Sequence, residues 1–250
     1  MQNLMIELIL DTDIWISHIA KDNPAGIFES FKKQVEDGEV ILLINQIIKD
    51  EWNRNKENTI RNIVKEIKNI SKTALKMKPF LDEENKIKID VLLSDYNREE
   101  KRRIELAEKR IEEVEKLMAN ATEIEVTDEM KVQVSNWALE KRAPFTRKAN
   151  SVGDALILLS AVKYRHNNKS AYFIPGFFVS FNHTDYSKKN NESQIHEDLE
   201  EILEKANLSY KRHIGEVLKL TPELNIEVES YIDSMVESYL EDRAAIRRGK

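Results

Sequence analysis

Cysteine is absent from the 250 residues. No disulfide framework, thiolate zinc site or cysteine nucleophile is possible, and redox chemistry says nothing about compartment. Glycine and proline are scarce, at 6 and 5. With a hydrophobic fraction of 41% and a charged fraction of 34%, the composition is that of a helix-rich globular chain. No apolar stretch approaches the length of a membrane span. The N-terminal MQNLMIELILDTD is not a secretory signal, because it lacks a basic leader and Glu7 and Asp11 interrupt its apolar run. A cytoplasmic protein with no membrane partner is expected. Net positive charge is also missing. A formal charge of −6 argues against a general polycation-type nucleic-acid binder. It leaves room for an enzyme whose acidic site binds metal and whose basic residues are confined to one groove.

What is present is an alternation of apolar strands and amphipathic helices. Leu4–Leu10 reads as a buried strand ending in Asp11-Thr12-Asp13. A helix from about Pro24 to Asp37 follows, closed by Gly38, and Val40–Ile44 is a second strand. Asn45 is placed to cap the next helix, which carries Glu51 and Trp52. Residues 53–120 repeat apolar positions at helical and then near-heptad spacing, so they predict a long helical hairpin inserted between two strands. Its stripe serves as core or as the seam of a homodimer. Glu123–Val126 reads as a third strand and Thr127 or Asp128 as the cap of a helix to about Glu140. Gly176–Phe181 reads as a fourth strand running into Asn182-His183-Thr184-Asp185-Tyr186, with loop at Lys188–Asn191. The tail is expected to be helical, its last helix starting at Thr221-Pro222. The pattern predicts an α/β domain over 1–190, with its insertion at about 53–120, and a packed helical extension over 191–250.

The organising stretch is Ser151–Ala161, SVGDALILLSA. It sets Asp154 at the mouth of an apolar helix, behind the basic run that holds Arg147 and Lys148. Those two cations suit phosphate contacts. Ser151 with Asp154 also has the spacing of a capping box with Asp in place of Glu. In parallel sheets ligands gather outside the carboxyl ends of the strands, and acids fall there repeatedly: Asp11, Asp13, Glu51, Asp154 and Asp185, with Asn182. Close carboxylates repel unless protons or a cation intervene. Oxygen donors without cysteine and with few histidines favour Mg²⁺ or Mn²⁺ over zinc. Asp13 reads more as a turn former than a ligand. His18 and His183 read as surface or turn residues, and Trp15 and Trp52 as core.

The blocks LILDTDIWI, the Ile-Ile-x-x-Glu helix after a strand, GDALIL and FVSFNHTDY, in that order, resemble the PIN-domain nuclease superfamily. The run from Pro144-Phe145 to Leu156 is similar to a bacterial PIN-like branch with a helical insertion and a helical tail. The resemblance implies a three-layer Rossmannoid fold. It implies that Asp11, Glu51 and Asp154 bind metal, that Asn182 takes the fourth acidic position with Asp185 three residues on, and that Ser180 orients water or phosphate. Asn in place of an acid favours one tight metal and a second recruited by substrate. The implied activity is Mg²⁺- or Mn²⁺-dependent hydrolysis of RNA, or less readily DNA, leaving 5′-phosphate and 3′-hydroxyl ends. A toxin or phage-defence effector with an inhibitor partner is the setting that such small proteins suggest.

Two rivals remain. A haloacid-dehalogenase-type phosphatase also uses an Asp-x-Asp after its first strand, but Trp15 and Leu158 depart from its pattern. A non-catalytic module that binds RNA or a partner through the helical arm is kept open by Asn182.

Overall fold

The computed structural model describes residues 5–23, 25–146, 151–168 and 173–220. Strand β1 (Ile6–Leu10) is IELIL with every residue buried, a pattern open only to a strand covered on both faces. Asp11 ends it, and a short helix α1 (Thr12–Ile14) runs into a π-helical turn, Trp15–Ile19. Helix α2 (Ile27–Glu36) turns Phe28 and Phe31 inward, and Gly38 at φ 74° makes the reversal into β2 (Val40–Ile44). Asn45 caps α3 (Gln46–Met77), its side chain accepting from the Ile48 N–H at 3.0 Å.

The insertion is three helices rather than the expected two. Helix α3 runs out to a 3₁₀ turn at Lys78–Phe80, and α4 (Glu83–Arg98) and α5 (Glu100–Asn120) bring the chain back. Asp82 caps α4, and a break at Glu99 divides the return. Near the sheet the arm is packed, with Ile63, Ala107, Ile111 and Val114 in the core and Lys56 paired with Glu115 at 2.7 Å. Towards its tip Leu75, Met77, Phe80, Ile87 and Leu92 are exposed.

Beyond the arm come β3 (Thr122–Glu123), α6 (Asp128–Leu139) capped by Thr127, and α7 (Val152–Asn167). Then follow β4 (Gly176–Val179), the short α8 (His183–Tyr186), the hairpin β5 (Ser187–Lys188) and β6 (Asn191–Ile195), α9 (Glu197–Lys205), β7 (Leu208–Lys211) and helical turns at 214–220. The expected helical tail is corrected here. Residues 191–195 pair back on β5, and Leu208–Lys211 is the fifth strand of the main sheet. The signal was the alternation Leu-Ser-Tyr-Lys after Asn207, whose φ of 47° makes the turn. The third strand is also shorter than expected. The helix expected from Thr221-Pro222 lies outside the described residues.

The sheet order is β3-β2-β1-β4-β7, with every neighbouring pair parallel. This is the α/β architecture predicted from the strand–helix alternation. Chain order reverses between β1 and β4, and that switch point is where parallel sheets open a crevice. Helix α7, all but enclosed from Ala155 to Val162, lies against the sheet; each fully buried Leu or Ile of this kind contributes roughly 1.5–3 kcal/mol. At the amino end of the strands Arg165 reaches from α7 to the Glu7 carboxylate, both side chains being enclosed. It also donates to the carbonyls of Ala206, Ile174 and Asn207, each at 2.8 Å. A Cβ on Gly176 would strike that guanidinium at 2.3 Å, so glycine is required there. Burial raises the Glu7 pKa despite Arg165 and lowers that of Arg165, so desolvation outweighs the pair's attraction on both sides.

Candidate active site

Register places the first functional side chains. Leu10 is opposite Val179, and Val179 opposite Lys211, so Asp11, Ser180 and Arg212 form a row along the carboxyl edge. The Asp11 N–H donates to the Val179 carbonyl at 2.9 Å, and the Ser180 N–H to that of Lys211 at 3.2 Å. Asp11 and Ser180 are both buried. Ser180 Oγ donates to Asp11 Oδ2 at 2.7 Å, Thr12 N–H donates to Asp11 Oδ1 at 2.7 Å, and Asn182 N–H donates to Ser180 Oγ at 3.1 Å. The Asp11 carboxyl is still pushed up to about 8, chiefly by burial and then by the charge of Asp13, with a smaller contribution from Glu51.

Asp13 is the residue the sequence undervalued. It points into the crevice, where Oδ2 accepts from the Phe181 N–H at 3.1 Å while Oδ1 is buried with no hydrogen-bond partner. Burial raises its pKa to about 6, backbone donors including Phe181 pull against that, and Asp154 pushes further. A turn former opens its carboxylate to water, whereas one oxygen of this one is enclosed.

Asp154 comes from the first turn of α7, and its helix is not capped as the capping-box reading required. Ser151 makes no side-chain cap and donates instead to Asp185 Oδ2 at 3.2 Å. Tyr186 OH donates to the Asp154 carbonyl at 2.8 Å, fixing this turn of α7 from α8. Asn182 links the acids. Its Nδ2 donates to Asp185 Oδ2 at 2.8 Å and lies 3.5 Å from Asp154 Oδ2, while its Oδ1 accepts from Thr184 Oγ1 at 2.9 Å. Asp185 is buried. Glu51, about two turns into α3, approaches α7 closely: a Cβ on Gly153 would lie 2.7 Å from its Oε1.

The structure therefore gathers Asp11, Asp13, Asp154, Asn182, Asp185 and Ser180 at the switch point, with Glu51 at the margin. The resemblance implies that Asp11, Glu51 and Asp154 share one ion. Among the described residues no three His, Asp or Glu side chains form a group that could hold a metal as they stand. Hydrogen-bond donors hold two of the carboxylates in place. Thr12 and Ser180 occupy Asp11, and Asn182 and Ser151 occupy Asp185. The chemistry still fits a hard cation: all donors are oxygens, Asp11 and Asp13 are pushed up by burial and by neighbouring acid charges, and Asp13 Oδ1 is unsatisfied.

Arg147 and Lys148 lie outside the described residues. His18 and His183 sit near the rim, and Trp15 and Trp52 are core, as expected. The sequence reading missed Arg212 and His213, because it had no fifth strand to deliver them. No helix among the described residues is long and apolar enough to cross a membrane.

A family model described as PIN domain matches residues 8–186, most of the chain. The match spans Asp11, Glu51, Asp154, Asn182 and Asp185 and stops before β7. No curated protein and no solved structure matches.

Proposed function

The chain belongs to the PIN-domain family, whose members are generally nucleases, and from that premise we propose that it is a metal-dependent endoribonuclease that hydrolyses phosphodiester bonds. The carrying observation is the pairing of the buried Asp11 with the half-buried Asp13 at the switch point, with Asp154 pressing on Asp13 and one enclosed Asp13 oxygen unsatisfied. Asp11, Asp154 and Glu51 would hold Mg²⁺ or Mn²⁺, with Asp13 as a further ligand. Bound there, such an ion supplies positive charge to the phosphate oxygens and acidifies water.

The chain's own groups do the positioning. Ser180 orients the Asp11 carboxylate, and the Phe181 N–H orients that of Asp13. Asn182 spaces Asp154 from Asp185 without adding a further charge, which suits one tight metal and a second brought by the substrate. A cation held there would compete with the protons that burial, chiefly, keeps on Asp11 and Asp13, so its affinity would rise with pH. Arg147 and Lys148, just before α7, would hold the phosphates of the strand.

Asp154→Asn is expected to abolish cleavage of a labelled RNA while leaving its binding intact or tighter, since one repulsive charge is removed. Replacing Arg147 and Lys148 together by Ala instead weakens binding and flattens log K against log salt, each phosphate contact contributing roughly 0.7 to the slope for a single strand. Cleavage that persists in EDTA or in Asp154→Asn sinks the proposal. DNA of the same sequence, tested alongside, separates ribonuclease from deoxyribonuclease.

One observation favours a second reading. The Asn182 amide bridges two carboxylates that a cation otherwise links, as a non-catalytic RNA- or protein-binding module requires; binding without metal-dependent cleavage identifies it. A covalent phosphate on Asp11 would instead identify a phosphatase. A toxin or phage-defence role with an inhibitor partner is supported by the family resemblance. Homodimerisation is supported by the exposed Met77, Phe80 and Leu92 of the arm, and light scattering at several concentrations reads it.

A further inference from the structure

Beside the acids lies a group of rings that neither the core nor the hydrolytic chemistry uses. Phe181 follows Ser180 directly and is 40% exposed at the carboxyl edge of the sheet. His18, from the helical turn after β1, stands 5.5 Å from its ring centroid at an interplanar angle of 58°. His213, following β7, stands 5.4 Å away at 59°, and the two histidine rings are 6.4 Å apart. The Arg212 guanidinium carbon sits over the Phe181 ring, 5.2 Å from its centroid. Three parts of the chain, after β1, β4 and β7, thus deliver three rings and a cation to one place. The Phe181 N–H holds Asp13, so the rings adjoin the crevice itself. Arg212 and His213 lie beyond the span of the family match.

A half-exposed phenyl flanked by imidazoles and a guanidinium is ill suited to core packing, since it leaves apolar surface in water. It is well suited to a flat, π-faced partner, because bases of single strands stack on aromatic rings and arginine planes without sequence preference. Resting on the nuclease reading above, we propose that Phe181, His18, His213 and Arg212 form a stacking platform for an unpaired nucleobase of the strand whose phosphodiester enters the acidic crevice.

The test is fluorescence anisotropy with a labelled oligouridylate and an abasic strand of the same length, on full-length protein carrying Asp154→Asn so that neither strand is consumed. Phe181→Ala should weaken binding of the oligouridylate by roughly 5- to 150-fold, the range of a lost base–aromatic stack. The abasic strand should bind equally with and without the substitution. Phe181→Trp should retain the wild-type preference, which separates stacking from a fold defect. Equal weakening of both strands, or of neither, overturns the platform while leaving the nuclease reading intact. Failure of the Phe181 parent to bind either strand overturns both.

Discussion

Asp13→Asn removes a charge that the metal-free fold holds against its own interest. The carboxyl is raised from 3.8 to about 6 by burial first and by Asp154. An acid whose folded pKa lies above its unfolded value stabilises fully below the unfolded value, and that contribution is lost as pH rises through the folded one. The penalty is thus small near pH 4 and complete by about pH 7. At about 1.4 kcal/mol per pKa unit it amounts to about 3 kcal/mol. The asparagine oxygen still accepts from the Phe181 N–H, and its amide can donate towards Asp11, so the substitution trades repulsion for attraction. At this chain length each kcal/mol moves Tm about 2–4 °C, so in EDTA at pH 8 the variant should melt about 6–12 °C higher than wild type. The gain should shrink towards zero as pH falls to about 4. Circular dichroism melts across that range measure it, and adding Mn²⁺ should raise the wild type more than the variant. A variant no more stable than wild type at pH 8, or a gain constant with pH, refutes the reasoning that Asp13 is a desolvated, repelled carboxylate.

Gly153→Ala would set a methyl 2.7 Å from Glu51 Oε1. Because that oxygen ends a flexible side chain, stability should change by less than about 1 kcal/mol, while Mn²⁺ affinity by calorimetry and metal-dependent cleavage fall; unchanged metal binding would remove Glu51 from the ligand set. Arg165→Met strands the Glu7 carboxylate in the core and should cost about 3–5 kcal/mol in urea unfolding. Adding Glu7→Leu should recover only part of that loss, because the carbonyls of Ala206, Ile174 and Asn207 stay without their donor; full recovery would mean that those bonds contribute nothing.

Much of this protein was legible in the sequence because it rests on local rules. The runs IELIL and VILLI can only be strands covered on both faces, Asn45 has the spacing of a cap, and SVGDALILLSA announces a buried helix with an acid at its mouth. Acids after strands predict a crevice of acids once the strands are parallel. Three features depended on distance in space. Leu208–Lys211 became a strand because β4 offered a free edge, and four residues of alternation are too short a signal without that partner. Asp13 is spaced like any turn aspartate, and only the folded chain brings the Phe181 N–H to one of its oxygens and encloses the other. Ser151 has the sequence of a cap, yet Asp185, 34 residues away, claims its hydroxyl. Sequence thus determined which segments are buried and where the acids fall along the chain. Tertiary structure decided which acids are desolvated, what each is bonded to, and which rings stand beside them, because burial and partnership are set by neighbours that the chain brings together only when folded.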